Sequence, residues 1–381
     1  MNETAKTGRA IVVGAGFFGA TVAERLANDL GYEVRLLEKR GHVGGNSFSR
    51  PDAETGIEEH VYGSHIFHTS RRDVWDYVGR FAEFNNYRHA VWARHGDRLC
   101  PLPFSLATLN ALLGCTWTPA QARAFIERET RAEAIAAPAN LEEKALSLVG
   151  RTLYEAFVRP YTEKQWGAPC RELPADIIAR LPVRYTLRLD YFDDPWQGIP
   201  TDGYGAIFQR MLASPRIDLC LNTDFCEVRN SLPPHDLLVY TGPVDRYFDF
   251  RRGRLGWRSV RFEKEVLDLP DYQGTAVVNY GDAEFPFTRI HEFKHYVRAA
   301  DTPRTVIYRE FAYTPGPRDE LYYPVRSRQD MERYRGYEAD AAALFPKVVF
   351  GGRLGRYEYC NMDAAIGAAL DAYARIKACL S

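Results

Sequence analysis

The chain has 381 residues, with 49 Lys+Arg against 50 Asp+Glu, so its formal charge of −1 excludes a uniformly basic nucleic-acid-binding surface. The cations are mostly Arg, which suits a local pocket for phosphate. An odd count of seven Cys with no CxxC argues against a disulfide framework or zinc knuckle and fits a reducing cytosol, and no run approaches the ~20 apolar residues that cross a bilayer.

Met1 to Arg9 is polar, with no apolar signal core, so a cytoplasmic location is expected. Residues 10–13 form a short apolar run that reads as a buried strand ending at Gly14. Apolar residues at helical spacing predict a helix over 18–30, with Gly31 as its stop, and 33–38 reads as a second strand. Strand, turn, helix and strand imply a parallel sheet. Residues 106–150 read as helical, with joints at Pro119 and Pro138. Residues 184–204 are rich in aromatic and turn residues. Residues 236–240 read as a buried strand, 260–323 as an antiparallel sheet, 347–350 as a last strand and 363–380 as an Ala-rich helix.

Gly14-Ala15-Gly16-Phe17-Phe18-Gly19 is a G-x-G-x-x-G sequence between the first strand and the first helix. Gly14 permits the tight turn, Gly16 lets the backbone approach a pyrophosphate, and Gly19 lets helix and strand pack closely. Glu38, at the end of the second strand, is placed to accept hydrogen bonds from a ribose. Gly44-Gly45-Asn46 follows, and the chain resembles flavoproteins of the glutathione-reductase type, which favours FAD over NAD. The expected architecture is mixed α/β and α+β. A discontinuous Rossmann-like FAD domain takes 1–80, 196–245 and 345–381. A helical domain takes 100–150, and an antiparallel substrate domain takes 81–99, 151–195 and 246–344.

Four further stretches resemble the UDP-galactopyranose mutase family: Gly63-Ser64-His65-Ile66-Phe67-His68-Thr69, Tyr161-Thr162-Glu163-Lys164-Gln165-Trp166-Gly167, Phe285-Pro286-Phe287-Thr288-Arg289-Ile290, and Gly352-Arg353-Leu354-Gly355-Arg356-Tyr357-Glu358-Tyr359. The resemblance implies an isomerase that interconverts UDP-galactopyranose and UDP-galactofuranose in polysaccharide biosynthesis. It implies reduced FAD, whose N5 forms a covalent adduct with the sugar as UDP departs. It also implies a homodimer.

Carried over by position, the resemblance assigns Arg289 and Arg180 to the diphosphate, with Tyr191, Tyr323 and Tyr359. It gives the uridine to Tyr161 and Thr162, and the sugar's surroundings to Trp166. His65 and His68 would act beside flavin and sugar. Gly14, Gly16, Phe18, Gly19, Glu38, Lys39, Gly45, Asn46, His65, Arg353 and Met362 would hold the cofactor. The spacing of His65 and His68 lacks a third metal ligand, so no metal is expected. Residues 169–184, with Pro169, Pro174 and Pro182, are expected to form a lid that carries Arg180.

Three positions depart from the family's pattern. Ser64 stands for a common Pro, His89 for an Asn near the sugar, and Asn361 for an acidic residue. His89 and Asn361 could touch sugar hydroxyls, so a different sugar nucleotide, such as a dTDP- or UDP-deoxyhexose, remains an alternative. A net flavin oxidoreductase or a non-catalytic flavin protein leaves the Arg and Tyr cluster unexplained.

Overall fold

A computed structural model describes residues 8–178, 183–297 and 302–380. Two sheets and a helical layer meet around one cavity. The first sheet has five parallel strands in the order Val348–Phe350, Leu237–Tyr240, Arg9–Val13, Glu33–Leu37 and Ile217–Cys220. Its central strands are apolar runs, as expected where helices cover both faces. The helix Phe17–Asp29 packs against the C-terminal helix Met362–Leu380, and Val22, Leu26, Ala369, Tyr373 and Ile376 bury one face of the sheet. Gly31 closes the first helix at φ +68°, where a residue without Cβ is favoured.

The second sheet has seven strands. Tyr323–Pro324, Trp257–Leu267, Thr305–Tyr313, Arg289–Glu292 and Val277–Tyr280 follow one another antiparallel. The hairpin Val91–His95 and Arg98–Leu102 then joins the last of these in parallel. The sheet is therefore mixed at one pair. That pair unites strands far apart in sequence, which local patterning does not encode.

The helical layer holds Leu106–Leu113, Pro119–Glu133, Leu141–Leu153 and Arg159–Trp166. Ser105, Thr118 and Asn140 cap the first three by accepting from the backbone N–H three residues on. Pro119 occupies the first turn of its helix, where its missing N–H costs nothing. The layer does not stop at Gly150, where the sequence reading ended it. The chain kinks there at φ +76°, where glycine is also favoured because a Cβ would lie 2.3 Å from that of Glu129, and helix resumes to Trp166. Leu109, Leu141, Leu146, Val149, Leu153 and Phe157 form its core.

Candidate functional site

The first parallel strand ends at Gly14, whose φ of +93° belongs to the left-handed region. A Cβ there would also lie 2.1 Å from Thr241 Oγ1, and one on Gly19 would lie 1.9 Å from the Gly14 carbonyl. Gly16 caps the helix without a side-chain bond and faces Gly45, so backbone alone lines the opening above the helix N-terminus. Glu38 is buried, and its carboxylate accepts from Ala15 N–H at 2.8 Å and Arg40 N–H at 2.9 Å. A carboxylate has about four lone-pair positions, so acceptor capacity is left for a ribose. Lys39 and Arg40 pair with Glu320 at 2.9 and 2.6 Å, and Arg40 also donates to Asn46 Oδ1. The buried Arg40 Nη1 finds no partner among the described residues.

A cavity of about 1460 Å³ runs from this turn to the second sheet. That exceeds the ~300–1,000 Å³ of a typical single-ligand pocket, and leaves room for a dinucleotide with a second ligand beside it. Its wall includes Gly14, Gly16, Phe18, Gly19, Glu38, Lys39, Gly45, Asn46, His65, Arg353 and Met362 from the cofactor expectations. It also includes His68, His89, Trp166, Tyr191, Arg289, Tyr323, Tyr359 and Asn361. Tyr161 and Thr162 are not on this wall. Thr162 is buried, and the Tyr161 ring lies beneath Arg289, 5.6 Å from its Cζ, with a buried hydroxyl unpartnered among the described residues. Arg180 lies outside the described residues, as do 179–182 of the expected lid. The described flanks are helical turns at Cys170–Glu172 and Ala175–Ile178, with Cys170 and Leu173 in the helical core.

Arg289 begins its strand opposite Glu310, and its side chain is 33% exposed. Nη1 lies 3.7 Å from Glu310 Oε2, and Nε is buried without a partner among the described residues. Burial works against both charges. Arg289 and His291 nevertheless hold the Glu310 carboxyl at about 2, while Tyr161 and Glu310 keep the guanidinium charged. Arg353 anchors the opposite wall by donating to the carbonyls of Tyr322 and Cys360, beneath the Tyr323 and Tyr359 rings.

His65 donates from Nδ1 to the Gly63 carbonyl at 2.6 Å, and burial pulls its imidazole down to about 4. The neutral ring thus keeps Nε2 as an acceptor. His68 sits on the short strand Phe67–Thr69, stacks 3.6 Å from Phe192, pairs through Nδ1 with Asp194 at 2.7 Å and brings Nε2 to 3.5 Å from Asn361 Nδ2. His89 flanks the same Phe192, and burial lowers it to about 3. Both His65 and His89 are neutral when folded and titrate near 6.5 when unfolded, so the unfolded chain binds more protons below about pH 6.5. Stability will therefore fall as pH drops from about 6.5 toward 4. Thermal melting measured between pH 7 and 4.5 will register the loss, and a flat profile would contradict the assignment.

A family model described as UDP-galactopyranose mutase matches residues 156–359, and one described as an NAD(P)-binding Rossmann-like domain matches residues 12–81. A probable UDP-galactopyranose mutase of Klebsiella pneumoniae is 39% identical over 360 residues, which cover 94% of this chain and 92% of that protein. This chain belongs to the UDP-galactopyranose mutase family. A dTDP-fucopyranose mutase of Escherichia coli is 35% identical over 367 residues, 95% of this chain and 97% of that protein. The crystal structure of reduced UDP-galactopyranose mutase shares the fold, with TM-score 0.75 and 19% identity over 98% of this chain and 94% of the other. The Rossmann-like match covers the glycine turn and Glu38, the part of this mutase-family chain expected to hold a dinucleotide.

Within this mutase fold, the motifs also brace one another. Lys164, in the helix that carries Trp166, donates from Nζ to the carbonyls of Tyr280, Asp282, Phe285 and Phe287. That joins the helical layer to the turn that leads into Arg289. Sequence reasoning missed this role, along with those of Asp194, Phe192, His291 and Glu310. A Lys inside a named motif was the one available signal; the other four carry no local pattern.

Proposed function

We propose that the protein interconverts the pyranose and furanose forms of a nucleotide sugar, with UDP-galactose as first candidate and reduced FAD required. The observation that supports this is one cavity joining the glycine turn and Glu38 to Arg289, whose guanidinium keeps unused donors. Bound and reduced, the flavin supplies the nucleophile for exchange at the anomeric carbon. Arg289 stabilises the negative charge of the departing diphosphate, and Arg180 is its proposed counterpart by motif position. Tyr191, Tyr323 and Tyr359 line the same cavity and donate hydroxyl hydrogen bonds to phosphate oxygens. Tyr161 braces Arg289 from beneath its guanidinium, and Trp166 covers the sugar. Neutral His65 offers Nε2 to the reacting centre. Asp194 fixes His68 so that its Nε2 and Asn361 read sugar hydroxyls together.

A second reading keeps the chemistry and changes the nucleotide sugar to a dTDP-deoxyhexose. Likeness to the dTDP-fucopyranose mutase and the presence of His89 and Asn361 at the cavity favour it. Dithionite-reduced protein given UDP-galactofuranose or dTDP-fucofuranose separates the two by chromatography of the pyranose product. Turnover of the first, only after reduction, is the expected result. Turnover of the second alone selects the second reading. Inertness toward both, with steady consumption of an electron acceptor, defeats both.

A further inference from the structure

We propose that Ser64 is a positioning residue whose hydroxyl, through His291, holds the Glu310 carboxylate off Arg289 and so keeps that guanidinium open to a diphosphate. The inference rests on the mutase reading only for the identity of that ligand. Arg289 and His291 are two residues apart on one strand and therefore share a face, with Glu310 on the neighbouring strand opposite Arg289. Ser64 Oγ lies 2.5 Å from His291 Nδ1, and the Tyr296 hydroxyl donates to the same Ser64 oxygen. His291 Nε2 lies 3.2 Å from Glu310 Oε2, and Thr288 donates to Oε1 at 3.1 Å. His291, Glu310 and Thr288 are all buried.

Each member of this line has only one consistent role. An ionised carboxylate only accepts, so His291 carries its proton on Nε2. Burial keeps the imidazole neutral, which leaves Nδ1 as an acceptor for the Ser64 hydroxyl. Ser64 oxygen is then free to accept from Tyr296. The direction of donation runs from Tyr296 through Ser64 and His291 to Glu310. A residue without a side-chain donor at position 64 could not complete the line. Without it, buried Nδ1 and the Tyr296 hydroxyl both lose a partner, and the imidazole ring is free to turn away. Glu310 Oε2, now 3.7 Å from Arg289 Nη1, could then close the gap and occupy the donors a phosphate needs.

The test uses FAD-loaded protein. Nitrogen NMR, with His291→Asn identifying the signal, reads the tautomer of His291, and UDP and dTDP affinities are measured by calorimetry. The wild type is expected to show the Nε2–H tautomer. Ser64→Ala should bind the preferred diphosphate roughly tenfold more weakly, the effect of about one charged hydrogen bond. Ser64→Thr should restore binding, and Ser64→Ala should change nothing further in an Arg289→Ala background. An Nδ1–H tautomer in the wild type overturns the proposal, whether or not the variants fold. So does a Ser64→Ala protein with wild-type affinity, or an effect that persists in full without Arg289. Binding of neither diphosphate by the wild type would sink the mutase reading, while the tautomer still decides the relay.

Discussion

Arg289→Ala will reduce kcat/KM by about 10²–10³-fold, a loss of ~3–4 kcal/mol of transition-state stabilisation, as for removal of one donor aimed at developing charge. The effect is large because the group is unusual in its setting. Its Nε has no partner among the described residues, and its nearest carboxylate stands 3.7 Å away. A surface arginine in a satisfied ion pair would contribute little when removed. The charge is kept in place by Glu310 and by the Tyr161 ring, so truncation also leaves the Glu310 carboxylate buried with His291 and Thr288 as its partners among the described residues. On the proposed mutase chemistry, loss should fall on kcat as well as KM, because the diphosphate would gain charge as the sugar leaves. Steady-state kinetics on the reduced enzyme will decide, and near wild-type kcat would remove Arg289 from the chemistry.

Glu38→Ala will yield protein that purifies largely without flavin. The carboxylate ties Ala15 and Arg40 N–H groups to the end of the second parallel strand, so it shapes the glycine turn before any ligand arrives. Losing those bonds, and with them the proposed ribose contact, should weaken FAD by roughly 10²–10³-fold, taking about 1.5–3 kcal/mol for each hydrogen bond to a charged group and allowing for partial relaxation. Glu38→Gln should fall between, because an amide oxygen still accepts one N–H. Visible flavin absorbance per polypeptide, before and after dialysis, is the measurement. Full flavin retention in Glu38→Ala would mean that the cofactor is held elsewhere.

What could be read in the sequence was local. The strand Arg9–Val13, its glycine turn and the helix after it declare themselves through continuous apolar runs, a Gly pattern and helical spacing. The strands Leu237–Tyr240 and Val348–Phe350 did so for the same reason. Ile217–Cys220, at the edge of that sheet, was missed because it is only four residues long, interrupted by Asp218, and none of it is fully buried. Residues 184–204 read as rich in aromatic and turn residues, and within them Trp196–Gly198 forms a short ladder with Phe67–Thr69. In the site, single residues were legible where a motif named them. Their partners were not: Asp194 reaches His68 across 126 positions, and His291 reaches Ser64 across 227. Such pairings arise only when the sheets assemble. The same applies to Tyr161, whose motif pointed to the ligand while the fold put its ring beneath the arginine.

The order of the parallel sheet has a consequence for biogenesis. Its first strand is flanked by one that ends at Leu37 and one that begins at Leu237, and that strand is flanked in turn by Val348–Phe350. A ribosome emitting the chain from its N-terminus therefore exposes the glycine turn long before the walls around it exist. Non-local pairing of this kind is slow and leaves unpaired edges in the interim. Flavin capture belongs to the closing stage of maturation, and a cell short of the vitamin should accumulate finished but unloaded chains rather than nascent ones stalled part-way.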